Sequence, residues 1–132
     1  MRFPISQKNV SIVSWGIYSK WKSNSKELPK IQEFTLEIPI IIDQEWGMII
    51  SIDNSKDKEL QWEIKHPPLY DEDQKLIGDF KGNYKVLSNE DTFFLGDTFW
   101  EPLETMQGEW TCTIRSGKQI IAKKIFKAVL TE

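Results

Sequence analysis

Through most of this chain apolar residues recur at every second position, in short runs that end at Gly, Pro, Asn or Asp. That period belongs to β-strands and leaves little room for amphipathic helices. The cleanest run is Leu60-Gln61-Trp62-Glu63-Ile64-Lys65, with Leu60, Trp62 and Ile64 on one face and the polar residues on the other. Pro67 and Pro68 stop it, since neither can donate to a ladder. Residues 109–115 repeat the pattern: Trp110, Cys112 and Ile114 share one face, and Ser116-Gly117-Lys118 then turns the chain back. Further strands are expected over 10–18, 34–38 and 46–53, around 78–86, from 93, and over 119–130. In the last of these the parity breaks. Ile120, Ala122, Phe126 and Ala128 share a face with Lys124 among them, and a bulge near Lys123 and Lys124 would repair it. Only residues 98–107 suit a helix, of about two or three turns, with Pro102 tolerated in the first.

A chain of 132 residues supports a single domain spanning 1–132, and that domain can bury enough surface to fold without a disulfide or a metal. Six Trp, seven Phe and three Tyr provide the core in large pieces. Each of these removes roughly 150–250 Å² from water when buried. The strand count, roughly seven to nine with little helix, predicts an all-β, immunoglobulin-like antiparallel β-sandwich. Trp62 in a third-strand position and Cys112 two residues after Trp110 echo that fold. The strand that would face Cys112 offers only Met48 or Ile50, so no inter-sheet disulfide forms.

More particular features are Trp15-Gly16-Ile17-Tyr18, Ile38-Pro39 before Trp46-Gly47, and Ile64-Lys65-His66-Pro67-Pro68. After these come Phe99-Trp100-Glu101, Gly108-Glu109-Trp110-Thr111, and the closing Gly117 and Phe126. Taken together the chain resembles the bacterial domain of unknown function 3859. The resemblance implies a bacterial β-sandwich domain and brings no activity and no site residues with it.

The net charge is −3, against the basic surplus of a dedicated nucleic-acid binder. No apolar stretch of leader length follows Arg2, and the longest apolar run, residues 38–42, contains Pro39, so neither a signal peptide nor membrane insertion is expected. With its lone Cys112 the chain reads as cytoplasmic.

Candidate chemistry is sparse. His66 stands just before Tyr70 and the acidic run Asp71-Glu72-Asp73, which lacks calcium-loop spacing. Cys112 has the parity of a buried thiol rather than a nucleophile. There is no Gly-x-Ser-x-Gly elbow and no phosphate loop, so no catalytic residue, metal or cofactor is assigned and the chain is not expected to be an enzyme. The aromatics outside the strand pattern are Trp21, Tyr70, Phe99 and Trp100, and Lys20, Lys22, Lys26 and Lys30 read as a solvated loop. The expected function is a non-catalytic interaction module for a protein partner, acting through loops or a sheet edge. A homodimer through such an edge is the simplest version. The alternative is a saccharide or small-ligand module in which Tyr70 and Trp100 line one concave surface. A lesser alternative is an enzyme site around His66, Tyr70 and Asp73. His66, Tyr70 and Trp100 are the candidate binding residues.

Overall fold

The period-two pattern becomes eleven strands in the computed structural model, which describes residues 4–21 and 27–131. They are β1 (Val10–Tyr18), β2 (Ile31–Phe34), β3 (Glu37–Pro39), β4 (Glu45–Asp53), β5 (Glu59–Lys65), β6 (Leu69–Tyr70), β7 (Leu76–Ile77), β8 (Phe80–Lys85), β9 (Glu90–Asp97), β10 (Gly108–Ser116) and β11 (Gln119–Val129). Nine of them build two sheets, ordered β2-β1-β4-β9 and β3-β11-β10-β5-β8, which is the upper end of the expected count. The remaining two, β6 and β7, pair only with each other.

Three local expectations need correction. Residues 34–38 are not one strand. β2 ends in the first sheet and β3 begins in the second, so the chain crosses the sandwich at Thr35 and Leu36. The Thr35 hydroxyl accepts the Glu37 N–H at 3.1 Å, and the Leu36 carbonyl accepts the Lys127 N–H at 2.7 Å. These bonds dock β3 parallel to β11, while every other strand pair is antiparallel.

The expected helix over 98–107 is a single 3-10 turn, Leu103–Met106. Phe99 is drawn into the core and bridges Ile42, which keeps the chain extended there. The bulge in β11 lies at Ile121, because Ile114 pairs with Ala122 and Arg115 with Ile120. Lys124 therefore keeps its inward parity opposite Cys112, and its Nζ lies 4.2 Å from the centre of the Trp15 ring. A cation over an indole face is attracted by the ring quadrupole, and the lysine stem covers apolar surface on the way.

The core joins the two sheets through aromatics. Trp46 on β4 meets Trp110 on β10 and Phe126 on β11, each at 5.4 Å between ring centres, and stacks on Phe99 at 5.8 Å. The Trp110 indole donates to the Met106 carbonyl at 2.8 Å. Trp46 Nε1 has no such partner among the described residues.

A row of three glycines crosses the first sheet, with Gly16 opposite Gly47 and Gly47 opposite Gly96. A Cβ on Gly47 would overlap the Leu95 carbonyl and lie 2.5 Å from the Gly96 Cα, and its φ of +150° is one that side chains disfavour. The row lets adjacent backbones approach where Tyr18 and Phe94, on the outer face, pack edge to face at 5.1 Å.

Candidate functional site

β8 and β9 are consecutive among the sandwich strands, and each is the outermost strand of its own sheet. They therefore face each other across one open side of the sandwich. Near their connection that side is shut. The Tyr84 hydroxyl donates to Asp91 Oδ2 at 2.6 Å, the Leu87 N–H donates to the same oxygen at 2.9 Å, and the Tyr84 and Phe93 rings lie 4.5 Å apart. Burial, with Asp91 beside it, pushes the Tyr84 phenol upward.

Away from the connection the strands diverge and open a cleft of about 640 Å³. Trp62, Phe80, Phe93 and Phe94 supply its apolar lining, and Asp79, Lys81 and Asp97 stand among them. Gly82 is paired with Trp62 across the strands, and a Cβ there would lie 2.5 Å from the indole. The absence of a side chain on the edge strand is what lets Trp62 lie across it. Trp21 closes the outer rim, with its ring 5.1 Å from Phe94 and its Nε1 donating to the Glu27 carbonyl at 2.9 Å.

The wide end of the cleft is acidic. Asp97 lies opposite Trp46 in the register and accepts the Thr98 N–H at 2.8 Å. Burial pushes its carboxyl above the usual range, opposed by that N–H and by the charge of a protonated His66. Glu45 is buried nearby and pushed up to about 7, mainly by burial. The Trp21 backbone N–H opposes that rise and the charge of Asp97 adds to it. The cleft's lysine is engaged elsewhere: Lys81 Nζ is 3.5 Å from Glu63 Oε2. Among the described residues no ion pair engages Asp79, Asp97 or Glu45.

Of the three candidate binding residues, His66 and Trp100 come together and Tyr70 stands apart. His66 packs its ring against Phe80 at 4.9 Å and Trp110 at 5.6 Å, and Trp100 touches the same two rings at 6.3 Å each. Both ring nitrogens of His66 face carbonyl oxygens, Nδ1 to Pro67 at 2.7 Å and Nε2 to Gly78 at 2.8 Å. His66 thus ties the end of β5 to the foot of the β6–β7 hairpin.

Tyr70 is 59% exposed on that hairpin, opposite Leu76. Asp71 accepts the N–H groups of Asp73 and Lys75 at 2.8 and 2.9 Å and closes the hairpin's own turn. Neither Tyr70 nor Trp100 lines the cleft.

Phe99 is not an accessible loop aromatic but part of the core. Cys112 is fully buried, and burial pushes its thiol far up, away from the reactive thiolate. Lys20 and Lys30 are exposed, whereas Lys22 and Lys26 lie outside the described residues. No group of three or more His, Cys, Asp or Glu among the described residues is arranged to hold a metal, and no described helix is long and apolar enough to cross a membrane. Sequence reasoning missed the cleft residues Trp62, Phe80 and Asp97 as a set. The one local signal was Gly82, an unsubstituted position in a strand otherwise suited to side chains.

No curated protein matches the chain. Among solved structures it is similar to an immunoglobulin-like protein from Pseudomonas aeruginosa, with a TM-score of 0.74 at 22% identity, over 94% of this chain and 99% of that one. The sandwich is accordingly immunoglobulin-like. The family model described as Domain of unknown function (DUF3859) matches residues 6–128, and the chain belongs to that family.

Proposed function

We propose that the domain is a non-catalytic interaction module whose binding surface is the cleft between β8 and β9, and that its ligand is an extended segment of a protein partner. The observation that carries this reading is the pair of unpaired sheet edges diverging over an aromatic floor. An edge strand offers free N–H and C=O groups to an incoming strand, and alternate side chains of that strand then enter pockets. Trp62, Phe80 and Phe94 are suited to such side chains. A non-catalytic role is supported by the buried thiol of Cys112 and by the structural bonds that occupy both nitrogens of the lone histidine.

The test is a selection from a random linear-peptide display library on immobilised protein, followed by amide NMR titration with the enriched peptides. The expected result is enrichment of extended, apolar-containing peptides that shift the amides of Phe80–Lys85 and Glu90–Asp97. A selection that enriches nothing overturns the reading. So do shifts confined to β2, β3 or the β6–β7 hairpin.

A further inference from the structure

We infer that the cleft selects a segment carrying a basic side chain, lysine or arginine, whose cationic head is received at the wide end by Asp97 and Asp79. The inference rests on the proposed function above and adds the chemistry of the ligand.

Charge complementarity is the first support. The cleft brings two carboxylates among aromatic side chains, and its own cation, Lys81, is engaged by Glu63. Asp97 is half-buried, accepts the Thr98 backbone N–H, and keeps acceptor capacity for more. Glu45 is a third acidic group nearby, close enough that the charge of Asp97 makes its ionisation harder. A cation placed there offsets that repulsion and the burial penalty together.

The second support is the wall. Phe80, Trp62 and Phe94 offer ring faces and apolar edges along which the methylene stem of a lysine or arginine can lie. Aromatic faces also attract the cationic head directly. The His66 side chain does not fill this role, because its two nitrogens face the Pro67 and Gly78 carbonyls and point to backbone rather than to a carboxylate. An acidic or uncharged residue at this position of the ligand would bring Asp97 and Asp79 no cationic partner.

The experiment takes one enriched peptide and replaces its basic residue by norleucine, which keeps the stem and removes the charge. The charged peptide is expected to bind about tenfold tighter than the norleucine form, a gap that shrinks with added salt. In Asp97→Asn that gap should narrow, chiefly because the charged peptide loses affinity. Asp79→Asn, at an exposed position, narrows the gap in the same direction and serves if Asp97→Asn does not fold. Equal binding of both peptides to the wild-type protein, with shifts still in β8 and β9, overturns the cation inference and leaves the interaction module standing. Enriched peptides that lack any basic residue do the same. Binding that shifts neither strand, or competition from a neutral oligosaccharide at the same amides, overturns both.

Discussion

Glu45 is the residue where the fold holds a charge at a cost. Its usual value of 4.5 is raised to about 7, first by burial and further by the charge of Asp97, with the Trp21 N–H opposing. Between those two values the folded chain keeps a proton that the unfolded chain has released. Stability therefore falls as pH rises from 4.5 towards 7 and levels off above it. The groups facing this carboxyl are Asp97, which makes its ionisation harder, and the Trp21 backbone, which eases it; His66 acts on Asp97 from beyond. Glu45→Gln keeps the shape and the acceptor for Trp21 but removes the charge. It should equal the wild type near pH 4.5 and exceed it at pH 8 by on the order of 1 kcal/mol, read from urea midpoints at the two pH values. A wild type more stable than the variant at pH 8 would show that the ionised carboxylate is favoured in the fold.

At the scale of elements, the glycine row decides how closely β1, β4 and β9 approach. Gly47→Ala would drive a Cβ into the Leu95 carbonyl on backbone that cannot yield like a side chain, at a φ that already disfavours alanine. A loss of about 3 kcal/mol or more is expected, against less than about 0.5 kcal/mol for Gly78→Ala, where nothing lies within 4 Å. Denaturant midpoints of the two variants check this, and equal losses would remove the close-approach argument. The same row shows what was legible in the residues. Trp15-Gly16 and Trp46-Gly47 lie in two predicted strands, and the shared face of Trp110, Cys112 and Ile114 could be read directly. The bulge was displaced from Lys124 to Ile121 because an inward lysine breaks the pattern as seen from sequence, although the Trp15 ring tolerates it. The crossing at Thr35 and Leu36 was not legible at all. Each half keeps its own alternation, and which sheet a strand joins depends on partners far along the chain.

For the whole molecule, that dependence on distant partners explains why the strands were readable and the cleft was not. The cleft exists because β8 and β9, neighbours in sequence, end up as edges of different sheets. Neither the Trp62–Gly82 pair nor the approach of Asp97 to His66 follows from spacing. His66 and Trp100 were singled out as residues and do meet at common rings, but the surface beside them is built by residues that read as ordinary strand positions. The same topology constrains unfolding. Most links between successive sandwich strands cross from one sheet to the other, and the two sheets meet through Trp46 and Trp110 at 5.4 Å. Removing either sheet leaves the other with its inner face in water, and the same-sheet pairs of successive sandwich strands, β1–β2, β5–β8 and β10–β11, cannot replace the lost burial. The two sheets should therefore unfold together. Tryptophan fluorescence, which reports on the aromatic junction, and far-UV circular dichroism, which reports on the ladders, should give coincident urea transitions. Strand signal that persists after the fluorescence change would mean that one sheet survives alone, and the inter-sheet aromatics would then not be what makes the domain a single unit.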